Sequence, residues 1–249
     1  MVKLILSGCN GKMGRVIAEC VRERNDCTVV AGLDLNTDMA GGFPVFADAA
    51  DCVVEGDVII DFSHPDALNS VLGLAARRNT PVVIATTGLS HAQVDQVHSA
   101  SRQIPVFFTA NMSLGVNLLV ELAKTAARVL GQEYDIEIIE KHHNQKIDSP
   151  SGTALWLADE ISGVLPQPPQ YIHDRHSQRR KRTKTEVGIH AVRGGTIVGE
   201  HDVLFAGRDE TITLSHRAAS KEIFATGSLN AALFLYGKAN GLYSMADLI

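Results

Sequence analysis

The chain has 249 residues and a mass of 26.8 kDa, enough for one large domain or two small ones. Its 23 lysines and arginines against 28 aspartates and glutamates leave a formal charge of −5, which argues against a general nucleic-acid binder. Apolar residues at 45% and charged residues at 20% make a globular balance that excludes a disordered chain, and there is no run of about 20 apolar residues to span a membrane. The first residues, Met1 to Gly8, begin like a signal peptide, but the apolar stretch is too short and leads into a glycine loop rather than a cleavage site. Cys9, Cys20, Cys27 and Cys52 are scattered without a CxxC spacing. That pattern predicts a reducing, cytoplasmic setting and small buried side chains, with neither zinc nor a disulfide framework.

Strand and helix signals alternate in the first half. Val2 to Ser7 is a short apolar run, fit for a strand buried on both faces. Met13, Val16, Ile17, Cys20 and Val21 then fall on one helical face. Thr28 to Asp34, Asp57 to Phe62, Pro81 to Thr87 and Val106 to Thr109 read as further strands. Between them come a helix after Pro65, where proline suits a first turn, and one from Ser90 to Arg102. Such alternation implies βαβ units and a parallel sheet.

The pattern changes after Asn111. Leu114 to Leu130 is a long helix rich in Leu and Ala, and Tyr134 to Ile138 alternates with period two, as a strand with one wet face does. A second helix carries Ala154, Leu157, Ala158, Ile161 and Leu165 on one stripe, and a polar loop follows from Pro166 to Arg182. Glu186 to Arg193, Thr196 to Phe205 and Thr211 to His216 are strands separated by turn residues, which predicts an antiparallel meander. A final helix runs from Lys221 to Ala239, and its pattern does not say where it packs. The expected fold is α/β: a Rossmann-like parallel-sheet nucleotide domain, then an α+β domain with a mostly antiparallel sheet, the boundary lying near Met112 to Gly115.

Gly8, Cys9, Asn10, Gly11, Lys12, Met13 and Gly14 lie between the first strand and the first helix. There, glycines let backbone N–H groups approach a pyrophosphate at the positive end of a helix. The string is not a strict GxGxxG and by itself also fits a tight strand-to-helix turn. Asp34, 20 residues after Gly14 at the end of the second strand, adds a carboxylate that can accept from ribose hydroxyls. The loops Ala85-Thr86-Thr87-Gly88 and Thr109-Ala110-Asn111-Met112 leave strand carboxyl ends, where ligands bind in such sheets. Their small and hydroxyl residues admit a nicotinamide ring, and the Asn111 amide can read its carboxamide.

Glu140 to Ala154, EKHHNQKIDSPSGTA, leaves a strand, crosses a polar loop and opens a helix. Ser149 or Ser151 can cap that helix, and the first-turn amides of Gly152 and Thr153 suit an anion. His142 and Lys146 can both move protons, and His143 and Lys146 add positive charge, so a carboxylate substrate fits. The alternatives are a solvated loop before a capped helix, or zinc, for which no third ligand stands at a recognised spacing. His173 and His176 are expected to be exposed, and Arg179 to Arg182 to be a solvated run too short to mark a polyanion partner.

Together GCNGKMG, DFSHP (Asp61 to Pro65), ATTG, TANMS, EKHHNQKIDSPSGTA and IHAVRGGTIVGEH (Ile189 to His201) resemble the dihydrodipicolinate reductase family of bacterial lysine and diaminopimelate biosynthesis, over the whole length. The resemblance implies that His142 is the catalytic acid/base, Lys146 a proton donor, and His143, Ser151, Gly152 and Thr153 the substrate contacts. It implies that Gly8 to Met13, Asp34, Ala85 to Thr87 and Thr109 to Met112 hold NADH or NADPH, with no metal. It further implies a substrate-binding and oligomerisation domain over 113–221, a homotetramer built through its sheets, and a last helix returning to the nucleotide domain, which then spans 1–112 and 222–249. Two departures stand out: the family often has Phe where this chain has Met112, and enterobacterial members carry Arg where it has Leu35. Asp34 with the uncharged Leu35 favours NADH, while Lys12 and Arg15 pull toward a 2′-phosphate, so both cofactors are expected to work, NADH equal or better. Two rival functions remain open: another two-domain amino-acid dehydrogenase, which would not need His142 and Lys146 together, and a silent dinucleotide sensor, which would turn over no cyclic imine.

Overall fold

The structure is a computed structural model that describes residues 1–39 and 41–248. The chain divides into two compact units, one formed by Met1–Leu114 with Lys221–Ile249 and one by Gly115–Ser220.

The first unit opens with β1 (Val2–Ser7), α1 (Lys12–Arg22), β2 (Cys27–Leu33), β3 (Val45–Phe46) and β4 (Val58–Asp61). A single 3₁₀ turn at Pro65–Ala67 leads into α2 (Leu68–Arg78), then β5 (Val82–Ile84), α3 (His91–Ala100) and β6 (Pro105–Phe108). The expected strands and helices are all present: β1 has the expected bounds, β2 and β6 are each shifted one residue toward the N-terminus, and β4, β5 and α3 are shorter at their ends. Leu4 and Leu6 face one core with Ile17 and Val21, while Ile5 faces the other with Val71, Leu74 and Val97. Because successive side chains of a strand point to opposite faces, an unbroken apolar run buries both. Each large aliphatic side chain so buried contributes about 1.5–3 kcal/mol.

The second unit holds α4 (Leu114–Leu130), β7 (Asp135–His142), α5 (Gly152–Ser162), β8 (Gln170–Ile172), β9 (Glu186–Arg193), β10 (Gly199–Ala206) and β11 (Thr211–Ala218). Its sheet runs β11-β10-β7-β9-β8. The expected meander is not formed: β9 and β10 are not neighbours but flank β7, with β9 parallel to it and β10 antiparallel. The turn signals after β9 suit a hairpin, yet Gly194 donates to the His142 carbonyl and Asn144 to that of Gly195, so the Gly-Gly pair meets the end of β7 instead. The sheet is therefore mixed, with two antiparallel and two parallel pairings. On its apolar face Ile136, Ile138, Val187, Ile189, Val203 and Phe205 pack with Leu119 and Ala123 of α4 and Leu157 and Ile161 of α5. Leu165 lies beyond the end of α5, although it packs on the same core.

The chain then returns to the first unit. Helix α6 (Glu222–Leu235) packs Ala225, Leu229 and Leu235 into the core shared with α1, and β12 (Gly241–Tyr243) pairs with β6. The resulting parallel sheet has the order β12-β6-β5-β4-β1-β2-β3. Strands β3, β8 and β12 escaped the sequence reading because two or three residues carry no periodicity.

Candidate active site

In the first unit the loop after β1 is shaped by close backbone approaches. Gly8 has φ +77°, and a Cβ there would lie 2.5 Å from the Phe62 carbonyl oxygen. A Cβ at Gly14 would overlap the Gly8 carbonyl oxygen. Gly11 caps α1 without a side-chain hydrogen bond, and the first turn carries no acidic residue, so the positive helix end faces the loop uncompensated. Cys9 is buried beneath Gly32, whose missing Cβ makes the room. The Asn10 amide nitrogen donates to Asp34 Oδ2 at 2.9 Å, and the Asn10 side chain donates to the Asn36 and Asp38 carbonyls at 2.7 and 2.8 Å. Asp34 Oδ1 also accepts from the Asn36 N–H at 3.0 Å. Asp34 thus stands beside the glycine loop, fixed by it. Lys12 and Leu35 are exposed, Met13 is half-buried, and Arg15 donates to the Asn10 carbonyl at 3.0 Å.

The two neighbouring loops are pinned as well. Asp61, fully buried at the end of β4, accepts from Thr86 Oγ1 at 2.7 Å and from Ser63 Oγ at 2.5 Å, and its carbonyl accepts from the Ala85 N–H at 2.9 Å. Thr87 is exposed. Thr109 donates to the Asn111 carbonyl at 3.3 Å, and Asn111 Oδ1 accepts from the Ser113 N–H at 2.8 Å. Ala110 is exposed, while Met112 is buried with its carbonyl over Gly227 of α6, where a Cβ would overlap it. A glycine cradle at an uncompensated helix end, beside a carboxylate and two loops at strand carboxyl ends, fits a pyridine dinucleotide.

In the second unit, β7 is longer than its sequence signal: the alternation continues through Glu140 and His142 on the same face as Ile136 and Ile138. That face is apolar at one end and ionic at the other. His142 Nδ1 lies 2.6 Å from Glu140 Oε2. The Glu140 side chain has no exposure, and it accepts from both terminal nitrogens of Arg193 at 2.7 and 2.8 Å and from the Ser151 N–H at 2.9 Å. Ser151 caps α5, its Oγ accepting from the Ala154 N–H at 3.2 Å, and the same oxygen lies 3.2 Å from His201 Nε2. The His142 and His201 rings meet edge to face at 5.3 Å.

The charges follow from burial and partners. Burial pushes the Glu140 carboxyl up, but hydrogen bonds from Arg193, His142 and the Ser151 N–H outweigh it and hold the group below its ordinary value. Burial lowers the His142 imidazole, against the opposing pull of Glu140. Burial, with His142 adding to it, takes His201 down to about 4. Both imidazoles are therefore neutral at neutral pH beside an ionised carboxylate, an arrangement able to take or give a proton.

Of the other expected residues, Lys146 pairs with Asp148 at 2.8 Å, and the Asp148 carboxyl also receives a backbone hydrogen bond from Gly152. His143 is half-buried on the loop, Gly152 is exposed and Thr153 half-buried in the first turn of α5. Ser149 does not cap α5; Ser151 does. His173 and His176 are exposed. The Arg179 to Arg182 run is not uniformly solvated: Arg180 reaches Glu186 at 2.5 Å and Arg182 reaches Glu137 and Asp135 at 2.9 and 2.8 Å, while Arg179 and Lys181 point outward. The sequence reading gave no role to Glu140, Arg193 and His201. Glu140 lies two residues from His142 on one strand face, but Arg193 and His201 join them only through the β9 and β10 registers.

The sequence profile described as "Dihydrodipicolinate reductase, N-terminus" matches residues 2–112, and that described as "Dihydrodipicolinate reductase, C-terminus" matches residues 115–249. The chain belongs to the dihydrodipicolinate reductase family. It is 53% identical to the 4-hydroxy-tetrahydrodipicolinate reductase of Caldanaerobacter subterraneus subsp. tengcongensis, covering 100% of this chain and 98% of the relative. It is 49% identical to that of Clostridium tetani, covering 98% and 96%. A dipicolinate-bound dihydrodipicolinate reductase from Paenisporosarcina sp. TG-14 superposes with a TM-score of 0.82 at 26% identity, covering 100% of both chains. As a member of this family the chain is an oxidoreductase of lysine and diaminopimelate biosynthesis built on a pyridine-nucleotide fold. Among the described residues, no helix is long and apolar enough to cross a membrane.

Proposed function

We propose that the protein reduces a cyclic unsaturated imine dicarboxylate, the dihydrodipicolinate intermediate, to its tetrahydro form, with His142 as acid/base and Lys146 as proton donor. The observation that carries this is the buried His142 at the end of β7, 2.6 Å from Glu140, clustered with the Ser151 cap of α5. A reduced nicotinamide, when bound, would supply the hydride for ring C4. His142 or Lys146 then gives a proton to the resulting enamine carbon. His143, Lys146, Ser151 and the first-turn amides of Gly152 and Thr153 hold the two carboxylates, where helix end and cations favour anions. Asp148, now on Lys146 and the Gly152 amide, occupies contacts that a substrate carboxylate would take over. Gly8, Cys9, Asn10, Gly11, Lys12, Met13 and Asp34, with Ala85 to Thr87 and Thr109 to Met112, hold the dinucleotide. The working form is a cytoplasmic homotetramer.

The experiment follows cofactor oxidation spectrophotometrically with freshly made substrate. Turnover that pyridine-2,6-dicarboxylate inhibits competitively is expected; no turnover, or no calorimetric binding of that dicarboxylate with reduced cofactor present, overturns the reading. Both cofactors serve, NADH equal or better, because Asp34 opposes a 2′-phosphate while one exposed cation such as Lys12 offsets only about 1 kcal/mol or less. Leu35→Arg shifts the kcat/KM ratio toward NADPH, more so at low ionic strength. A wild type that strongly prefers NADPH, with a ratio that Leu35→Arg leaves unmoved, defeats the assignment.

A further inference from the structure

We infer that Glu140 is the positioning residue for His142, holding it through Nδ1 so that Nε2 is the nitrogen that exchanges protons, and that Gly199 keeps the space at Nε2 clear. The inference rests on the acid/base reading of His142 and says which atom acts and what fixes it.

Glu140 is fully buried and cannot turn away: Arg193 spans both its oxygens at 2.7 and 2.8 Å, and the Ser151 N–H donates to Oε1 at 2.9 Å. Arg193 is itself tied to the Asp148 carbonyl at 2.7 Å. A carboxylate receiving three N–H bonds of this kind is ionised, and an ionised carboxylate only accepts. The 2.6 Å contact with His142 therefore requires the proton on Nδ1. A neutral imidazole has one N–H, so its lone pair is left at Nε2.

The surroundings of Nε2 agree. On β10, a Cβ at Gly199 would lie 3.1 Å from Nε2 and 3.5 Å from Cδ2 of His142. Gly199 has no positive φ, so the backbone does not demand glycine there; a Cβ would instead press on the imidazole at Nε2. His201, the neighbouring ring, spends its Nε2 on Ser151 and does not compete for His142. The charged and titratable groups around the imidazole are Glu140 on β7, Arg193 on β9, His201 on β10 with His216 beyond it on β11, and Lys146 and Asp148 on the loop. Among the described residues, only Glu140 touches His142 as an anion, and it alone favours the imidazolium through a hydrogen bond.

Nitrogen-15 NMR of the wild type gives the first test and needs no variant: the neutral His142 signal is expected to be the Nδ1–H form, and an Nε2–H form overturns the inference. Glu140→Gln can still accept from Arg193, but its amide offers a donor to Nδ1 and so inverts the tautomer. Its kcat is expected to fall by about 10²-fold or more, as for other misoriented catalytic imidazoles. The KM and the affinity for pyridine-2,6-dicarboxylate stay within about threefold, and the limb of the pH profile that reports His142 moves down by about one unit. Gly199→Ala retains the Nδ1–H signal and loses kcat. Retained kcat in both variants overturns the positioning role. If His142→Gln also retains kcat, the acid/base reading falls with it; if His142→Gln is inactive, only the positioning role falls.

Discussion

The two faces of β7 carry the same ionic chemistry with different consequences. Glu140, on the helix-covered face, holds Arg193 and His142; Glu137, on the opposite face, holds Arg182 at 2.9 Å, Arg175 at 3.1 Å and His190 at 2.8 Å. Each cluster depends on a glycine for room, since a Cβ at Gly188 would overlap Glu137 as one at Gly199 would crowd His142. The difference lies in burial and in which nitrogen is engaged. The His142 side chain is 11% exposed and gives Nδ1 to its glutamate, while His190 is 37% exposed and gives Nε2. Arg175 bridges Glu137 and the buried Glu186, which Arg180 also reaches, so that cluster ties the 173–185 loop to β7 and β9. A buried carboxylate bound by cations is a clamp wherever it occurs. It becomes part of a site only where its histidine is desolvated and keeps one nitrogen for a ligand.

The sharpest way to break this contrast is to remove both histidines in turn. His142→Gln and Lys146→Ala are each expected to cut turnover by about 10²-fold or more, with folding and cofactor affinity retained. His190→Gln is expected to leave turnover within about twofold. Steady-state kinetics on the three variants decide it, and equal losses from His142→Gln and His190→Gln would erase the distinction between the faces.

Stability should respond the other way round. Arg182→Ala leaves Glu137 and Asp135 short of a partner and is expected to cost about 3 kcal/mol, as breaking a largely buried pair does. Urea unfolding measures the cost, and a loss below about 0.5 kcal/mol would mean that the cluster clamps nothing.

Acid should separate the faces by pH window. His201 falls from about 6.5 to about 4 on folding, so the unfolded chain binds the extra proton between those values. Stability is then complete above pH 6.5 and declines as pH falls toward 4, by about 2 kcal/mol at pH 5; His142, also lowered, adds in the same direction. Glu137 and Glu186 shift downward, Glu186 to about 2 because Arg175 and Arg180 outweigh its burial. Their contribution is complete above about 4.5 and is lost only as pH falls toward 2. Hydrogen exchange across this range should therefore loosen β10 around His201 before the 173–185 loop, and the reverse order would refute the assignment. The smallest effect belongs to the outward residues of the same basic run: Arg179→Ala and Lys181→Ala should each change stability by less than about 0.5 kcal/mol in the same urea measurement.

These two clusters also mark where sequence reading stops. The βαβ order, the glycine loop, Asp34 and the helix cap ahead of Gly152 were legible because each is local, written as a hydrophobic period, a turn residue or a cap within a few positions. His142, Lys146 and Ser151 stood out for the same reason. The ends of β7 were not legible, since Glu140 and His142 break the apolar alternation at the point where the face turns ionic. Nor did the charges show that Arg180 and Arg182 reach carboxylates while Arg179 and Lys181 stay outward. The Gly194-Gly195 turn reads as a hairpin, yet β9 and β10 lie on opposite sides of β7, which no local signal records. By itself the sequence determined the longer elements, the family and the residue types available for chemistry. Only the tertiary structure decided which of them meet: strand order and register are long-range, and they bring Arg193 and His201 to Glu140 across 53 and 61 residues of chain respectively.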